Sequence, residues 1–131
     1  MHLPPRSGHR ILVVDDDPDV RGFLQMLLES EGYRVYTAVD GLEALTAARR
    51  AKPDLIVLDF MMPSLDGRGF REAQLRDPAI AGIPVVLTTA ATEVSALGRS
   101  LGAAACFQKP FDLELFTRTL ANLCQSRRSA A

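Results

Sequence analysis

Three consecutive carboxylates, Asp15, Asp16 and Asp17, follow four apolar residues in the stretch ILVVDDDPDV. Adjacent negative charges repel one another, so the cluster costs stability unless a cation or good solvation compensates it. Either these groups cap a helix or they hold a cation. A further carboxylate, Asp59, lies at the end of the apolar run DLIVLDF, the hydroxyls Thr88 and Thr89 lie at the end of IPVVLTTA, and Lys109 follows ACFQ. Two or three carboxylates suit Mg2+, which keeps several waters and takes its remaining oxygens from a phosphate instead of a full protein cage. A lysine supplies a point charge for phosphate and a hydroxyl supplies a donor. A carboxylate near both can be a nucleophile that forms an aspartyl phosphate. These are the parts of a phosphoryl-transfer site.

Such residues must meet on one edge of a scaffold. Short apolar runs at 11–14, 54–60 and 83–90 alternate with stretches of helical period, the signature of parallel strands covered on both faces. Weaker strands fit YRVYTA at 33–38 and ACFQ at 105–108, giving five βα units. In an open α/β sheet, ligands bind beyond the carboxyl ends of the strands where strand order reverses. Parallel strands put Asp15, Asp16, Asp59, Thr88, Thr89 and Lys109 on that edge.

The helix signals agree. Val20, Phe23, Leu24, Leu27 and Leu28 form one apolar stripe, with Asp17 as N-cap, Pro18 at the first helical position and Gly32 in the C-terminal turn. Asp40 with Glu43 reads as a capping box. Asp112 caps a last helix whose Leu113, Phe116, Leu120 and Leu123 share a face. Gly69 and Gly98 weaken the helices after 66 and around 92–101 by about 1 kcal/mol each. Asp19 is a favourable first-turn charge, and Asp66-Gly67 reads as turn chemistry.

At 131 residues the chain is long enough for one core and too short for two. Fifteen basic residues against 16 acidic ones, with no aromatic-rich basic stretch, argue against nucleic acid or a membrane surface as partner. No apolar h-region and no bilayer-length apolar run is visible, which points to the cytoplasm. Cys106 and Cys124 are too few for a disulfide framework and lack neighbours at zinc-ligand spacing, so both read as buried small apolar residues. Ragged ends are expected at 1–9 and 125–131, around a domain spanning 10–124.

Across that span the motifs VVDDD, GYRVYTAVDGLEAL, PDLIVLDFMMPSLDG, IPVVLTTA and GAAACFQKPF occur in order. The chain thereby resembles the receiver domains of two-component response regulators. The resemblance implies a doubly wound, flavodoxin-like (βα)5 fold with a parallel sheet in order 2-1-3-4-5. It makes Asp59 the phosphoacceptor, Asp16 a direct Mg2+ ligand, Asp15 a ligand through water, and Met61 a ligand through its backbone carbonyl. Lys109 would pair with Asp59 and the phosphoryl oxygens, and Thr89 with the N–H of Ala90 would bind the phosphoryl group. Thr89 is preferred to Thr88 because alanine follows it and it lies 30 residues after Asp59. A cis Lys109-Pro110 bond is also implied. The donor would be a sensor histidine kinase or a histidine phosphotransfer protein, and the response would go to a protein target or a missing output domain.

Two departures from the family pattern stand out. Only 20 residues separate Thr89 from Lys109, which suggests a trimmed loop or helix after strand four. Cys106 occupies the output-switch position, usually Tyr or Phe. Two rival readings use the same residues: a metal-dependent phosphohydrolase with Asp15 as nucleophile and Asp17 as acid, and a pseudo-receiver that binds partners without taking up phosphate. The intact set of Asp15, Asp16, Asp59, Thr89 and Lys109 argues against the pseudo-receiver.

Overall fold

The computed structural model describes residues 8–92 and 94–130, without the side chains of 127–130. Five strands, β1 (Arg10–Val14), β2 (Arg34–Ala38), β3 (Leu55–Asp59), β4 (Val85–Thr89) and β5 (Ala105–Gln108), form one parallel sheet in the order 2-1-3-4-5. The helices between and after them are α1 (Pro18–Ser30), α2 (Gly41–Ala51), α3 (Gly67–Leu75), α4 (Val94–Leu101) and α5 (Leu113–Ala130). The wholly apolar runs became the three inner strands, because an inner parallel strand is covered on both faces. The weaker ones, β2 and β5, are the edges and are only partly buried.

Alternation along the strands divides the core in two. Ile11, Val13, Leu55, Val57 and Val86 pack against Leu24 and Leu28 of α1 and Phe116 and Leu120 of α5. Leu12, Val14, Ile56, Leu58, Val85 and Leu87 pack against α2, α3 and Leu101 of α4. The expected stripes were too wide at their margins: Phe23 is 43% exposed and Leu113 39% exposed, since each lies at the border of its helix's buried face. Cys124 is buried, but Cys106 is only half-buried because it sits on an edge strand.

The caps form as the sequence chemistry demands. Asp17 accepts the N–H of Asp19 at 2.9 Å, and Asp112 accepts those of Glu114 and Leu115. Asp40 accepts the N–H of Glu43, whose carboxylate reaches back to the N–H of Val39. Asp66 does more than turn the chain: it caps α3 by accepting the N–H of Gly69 at 2.9 Å. Gly32 closes α1 with φ of 95°. Eight residues form α4, in keeping with the short interval after β4; Glu93, in the expected helix at 92–101, lies outside the described residues. The expected loose N-terminus falls mainly on residues 1–7, also outside them. His9 is buried, and α5 runs on to Ala130.

Two glycines fix the loop after β3. Gly41 donates its N–H to the Leu65 carbonyl at 3.1 Å, and a Cβ there would collide with that same oxygen. Gly67 donates to the Phe60 carbonyl, and its Cβ would stand 2.9 Å from the Phe60 Cα. The start of α2 and the start of α3 thus clamp residues 60–66. Gly41→Ala should lower unfolding free energy by about 2 kcal/mol through overpacking. Gly22→Ala, on α1 with open space around it, should raise stability by about 0.5–1 kcal/mol. Urea denaturation of the two variants beside the parent checks both signs.

Candidate functional site

Three rows of side chains on the α1/α5 face of the sheet end in charge. Ile11 and Val13 lead to Asp15, Leu55 and Val57 to Asp59, and Ala105 and Phe107 to Lys109, each two residues on along its strand. The Lys109 N–H bonds the Thr89 carbonyl at 2.7 Å, which continues the β4–β5 pairing to the lysine. Its Nζ lies 3.1 Å from Asp15 Oδ2 and 3.5 Å from Asp59 Oδ1. Strand β4 lies between β5 and β3, so the Asp59 contact bridges two strand spacings of about 4.8 Å each and the Asp15 contact three, which calls for a long side chain. Asp15, Asp16 and Asp59 each present an oxygen within 4.8 Å of the others; Asp15 and Asp59 are buried and Asp16 is exposed at the mouth.

The electrostatics follow from that crowding. The Asp59 carboxyl is pushed up to about 6, first by burial and then by the Asp15 charge, against the opposing charge and hydrogen bond of Lys109 and the N–H of Met61. Burial alone would lower the Lys109 pKa, but the charges of Asp59 and Asp15 and its hydrogen bonds to them raise it overall. Asp15 also accepts the Asp17 N–H on Oδ1 at 2.9 Å. The Asp17 side chain serves the start of α1, so the acid a phosphohydrolase would need is committed elsewhere.

The remaining candidates take separate places. Thr88 and Thr89 are both buried; strand register pairs Thr88 with Asp59, and Thr89 stands one residue further along. The Thr89 hydroxyl accepts the Ala91 N–H at 3.1 Å, while Ala90 is exposed. The Met61 side chain is 65% exposed. Lys109-Pro110 is cis. Cys106 lies away from the acidic edge, beneath α4, where a Cβ on Gly98 would stand 3.2 Å from its own Cβ. Beside this contact is a cavity of about 270 Å³ lined by Val94, Ser95, Gly98, Arg99, Ala103, Ala105 and Cys106. One contact was not anticipated from sequence: Arg21 of α1 donates from Nη1 to the Asp15 carbonyl at 2.8 Å. Nothing in its spacing separates it from a solvated arginine.

A carboxyl whose folded pKa exceeds its unfolded value binds its proton more tightly in the folded state. Stability therefore falls as pH rises from about 4 to about 6, and the full penalty is present above that window. Without divalent cations, Asp59→Asn should stabilise the protein at neutral pH by on the order of 2 kcal/mol. The gain should vanish as pH falls towards about 4. Urea midpoints across the range test this, and a gain independent of pH would refute the electrostatic cause.

A model of the response regulator receiver domain matches residues 11–121. The chain is 44% identical over 124 residues to the alkaline phosphatase synthesis transcriptional regulatory protein PhoP of Bacillus subtilis, covering 92% of this chain and 51% of that protein. It is 40% identical over 107 residues to the DNA-binding dual master transcriptional regulator RpaA of Synechocystis, covering 80% of this chain and 44% of that one. The chain thus spans about half the length of the regulators it matches. Among solved structures, Vibrio cholerae chemotaxis protein CheY4 aligns with a TM-score of 0.80 and 32% identity over 88% of this chain and 98% of that one. The signal receiver domain of a Syntrophus aciditrophicus histidine kinase aligns with a TM-score of 0.82 and 29% identity over 91% and 92%. The chain belongs to the response regulator receiver domain family, the phosphoacceptor modules of two-component signalling.

Proposed function

We propose that this receiver, spanning residues 10–124, takes a phosphoryl group from a phosphohistidine onto Asp59 and thereby changes its affinity for a partner. The observation that supports this most is the placing of the Asp59 carboxylate, buried, against both the Lys109 ammonium and two further carboxylates. Three carboxylates against one ammonium leave two net negative charges, the complement of a divalent cation. The donors are hard oxygens within 4.8 Å of one another, and they fit Mg2+. Asp16 and Asp59 would hold it directly, with the Met61 carbonyl, and Asp15 through water. The ion supplies the charge neutralisation that lets phosphoryl oxygens approach a carboxylate.

An Asp59 oxygen attacks phosphorus, forming an acyl phosphate as the P–N bond to the donor imidazole breaks and its electron pair stays on that nitrogen. A carboxyl pKa of about 6 leaves Asp59 largely ionised, hence nucleophilic, at neutral pH. Lys109 then follows the new negative charge onto the phosphoryl oxygens. Thr89 exchanges its bond from Ala91 for one donated to the phosphoryl group, with the Ala90 N–H beside it, and so reports phosphorylation to the loop before α4. The chain catalyses only its own phosphorylation and dephosphorylation.

The donor is a sensor histidine kinase or a histidine phosphotransfer protein in the cytoplasm. PhoP and RpaA are transcriptional regulators about twice as long as this chain, which supports a separate output domain or target protein as the responder. Among the described residues no helix is long and apolar enough to cross a membrane. Output through α4 fits the small pair Gly98 and Cys106, since a cysteine cannot fill the space an aromatic ring would occupy.

Intact mass after incubation with acetyl phosphate and Mg2+ should rise by one phosphoryl group. No adduct, or one that survives Asp59→Asn, would sink the assignment. Millimolar Mg2+ should also raise the melting temperature, and Asp16→Asn should remove most of that rise. A melting temperature indifferent to Mg2+ would mean that the carboxylates do not converge on a cation.

A further inference from the structure

We propose that Arg21 is a positioning residue for the acidic site, fixing the β1–α1 turn so that Asp15 and Asp16 present their carboxylates to a cation together. This rests on the Mg2+ reading of the cluster and deepens it. The turn is only three residues long, Asp15, Asp16 and Asp17, between the end of a buried strand and the first residue of α1. Every polar group of Asp15 is engaged. Its N–H donates to the Ala38 carbonyl at 3.2 Å, Oδ1 accepts from Asp17 N–H at 2.9 Å, and Oδ2 accepts from Lys109 at 3.1 Å. The carbonyl is the remaining group, and Arg21 supplies its donor at 2.8 Å.

A cation in the first turn of a helix opposes the helix dipole, so the local backbone gives no reason for an arginine at this position. Its half-buried side chain turns back to the strand end instead of out to solvent. The Arg21 N–H donates to the Asp17 carbonyl at 2.9 Å, so one residue is bonded to the turn at both its backbone and its guanidinium. Without the guanidinium, the Asp15 carbonyl loses its partner beside three carboxylates, and the turn is free to rotate that dipole towards water. Asp16, exposed and next in the chain, rotates with it.

Two effects of removing Arg21 have opposite signs, which makes the idea testable. Loss of a positive charge near the site favours a cation, whereas loss of the anchor disfavours it by dispersing the ligands. Positioning should win. Calorimetric titration with Mg2+ should give about tenfold weaker binding for Arg21→Met, which keeps the stem and lacks the donor, and near-parental binding for Arg21→Lys. Amide exchange should quicken at Asp17 in the Met variant and not in the Lys variant. Phosphorylation from acetyl phosphate should fall more at limiting than at saturating Mg2+. If Arg21→Met melts below the assay temperature, Arg21→Gln, with a shorter neutral donor, should bind at an intermediate strength. Arg21→Met that binds Mg2+ as tightly as the parent, or more tightly, overturns the proposal and leaves the site reading intact. A parent protein that does not bind Mg2+ overturns both.

Discussion

The Lys109 ammonium, placed between the buried carboxylates of Asp15 and Asp59, is the contact around which the active edge is organised. Burying two like charges without a counter-charge would cost several kcal/mol. One ammonium serves both, and it does so from a strand that neighbours neither. Yet a single positive charge does not balance three carboxylates, and burial first and the Asp15 charge second raise the Asp59 pKa by more than Lys109 lowers it. That imbalance of charge is what the proposed divalent cation would offset. The strained resting charge and the proposed chemistry are therefore one property.

Holding that contact dictates the topology. Asp15 and Asp59 are 44 residues apart in sequence, and only the 2-1-3 order makes β1 and β3 neighbours, with their carboxyl ends at the same edge. The apolar rows beneath them lock the register, since a slip of one residue would send Asp15 to the opposite face. Gly41 and Gly67 let the loop after Asp59 lie against α2 and α3. On the far side, Arg71 of α3 donates to the Leu101 and Gly102 carbonyls and ties down the end of α4, whose other end follows the loop from Thr89.

Much of this was legible in the sequence because the signals were local. Apolar runs named the inner strands, Asp17, Asp40 and Asp112 named helix starts, and the positions of Asp15, Asp59 and Lys109 at strand ends were enough to bring them together. The misjudged positions depend on distance information that periodicity lacks. Phe23 and Leu113 belong to apolar stripes, but whether a stripe's margin is covered depends on how the helix rolls on the sheet. Cys106 reads as buried until β5 is known to be an edge. The bond from Arg21 to a backbone carbonyl, and the need for Gly41 to avoid another, involve main-chain groups that every residue has, so no residue type announces them.

The most direct measurement is the location of the covalent bond. Protein treated with acetyl phosphate and Mg2+, reduced with borohydride and mapped by peptide mass spectrometry should carry homoserine at position 59 and unmodified aspartate at 15 and 16. Modification at Asp15 or Asp16, or reduction at none of the three despite a measured phosphoryl adduct, would contradict the account.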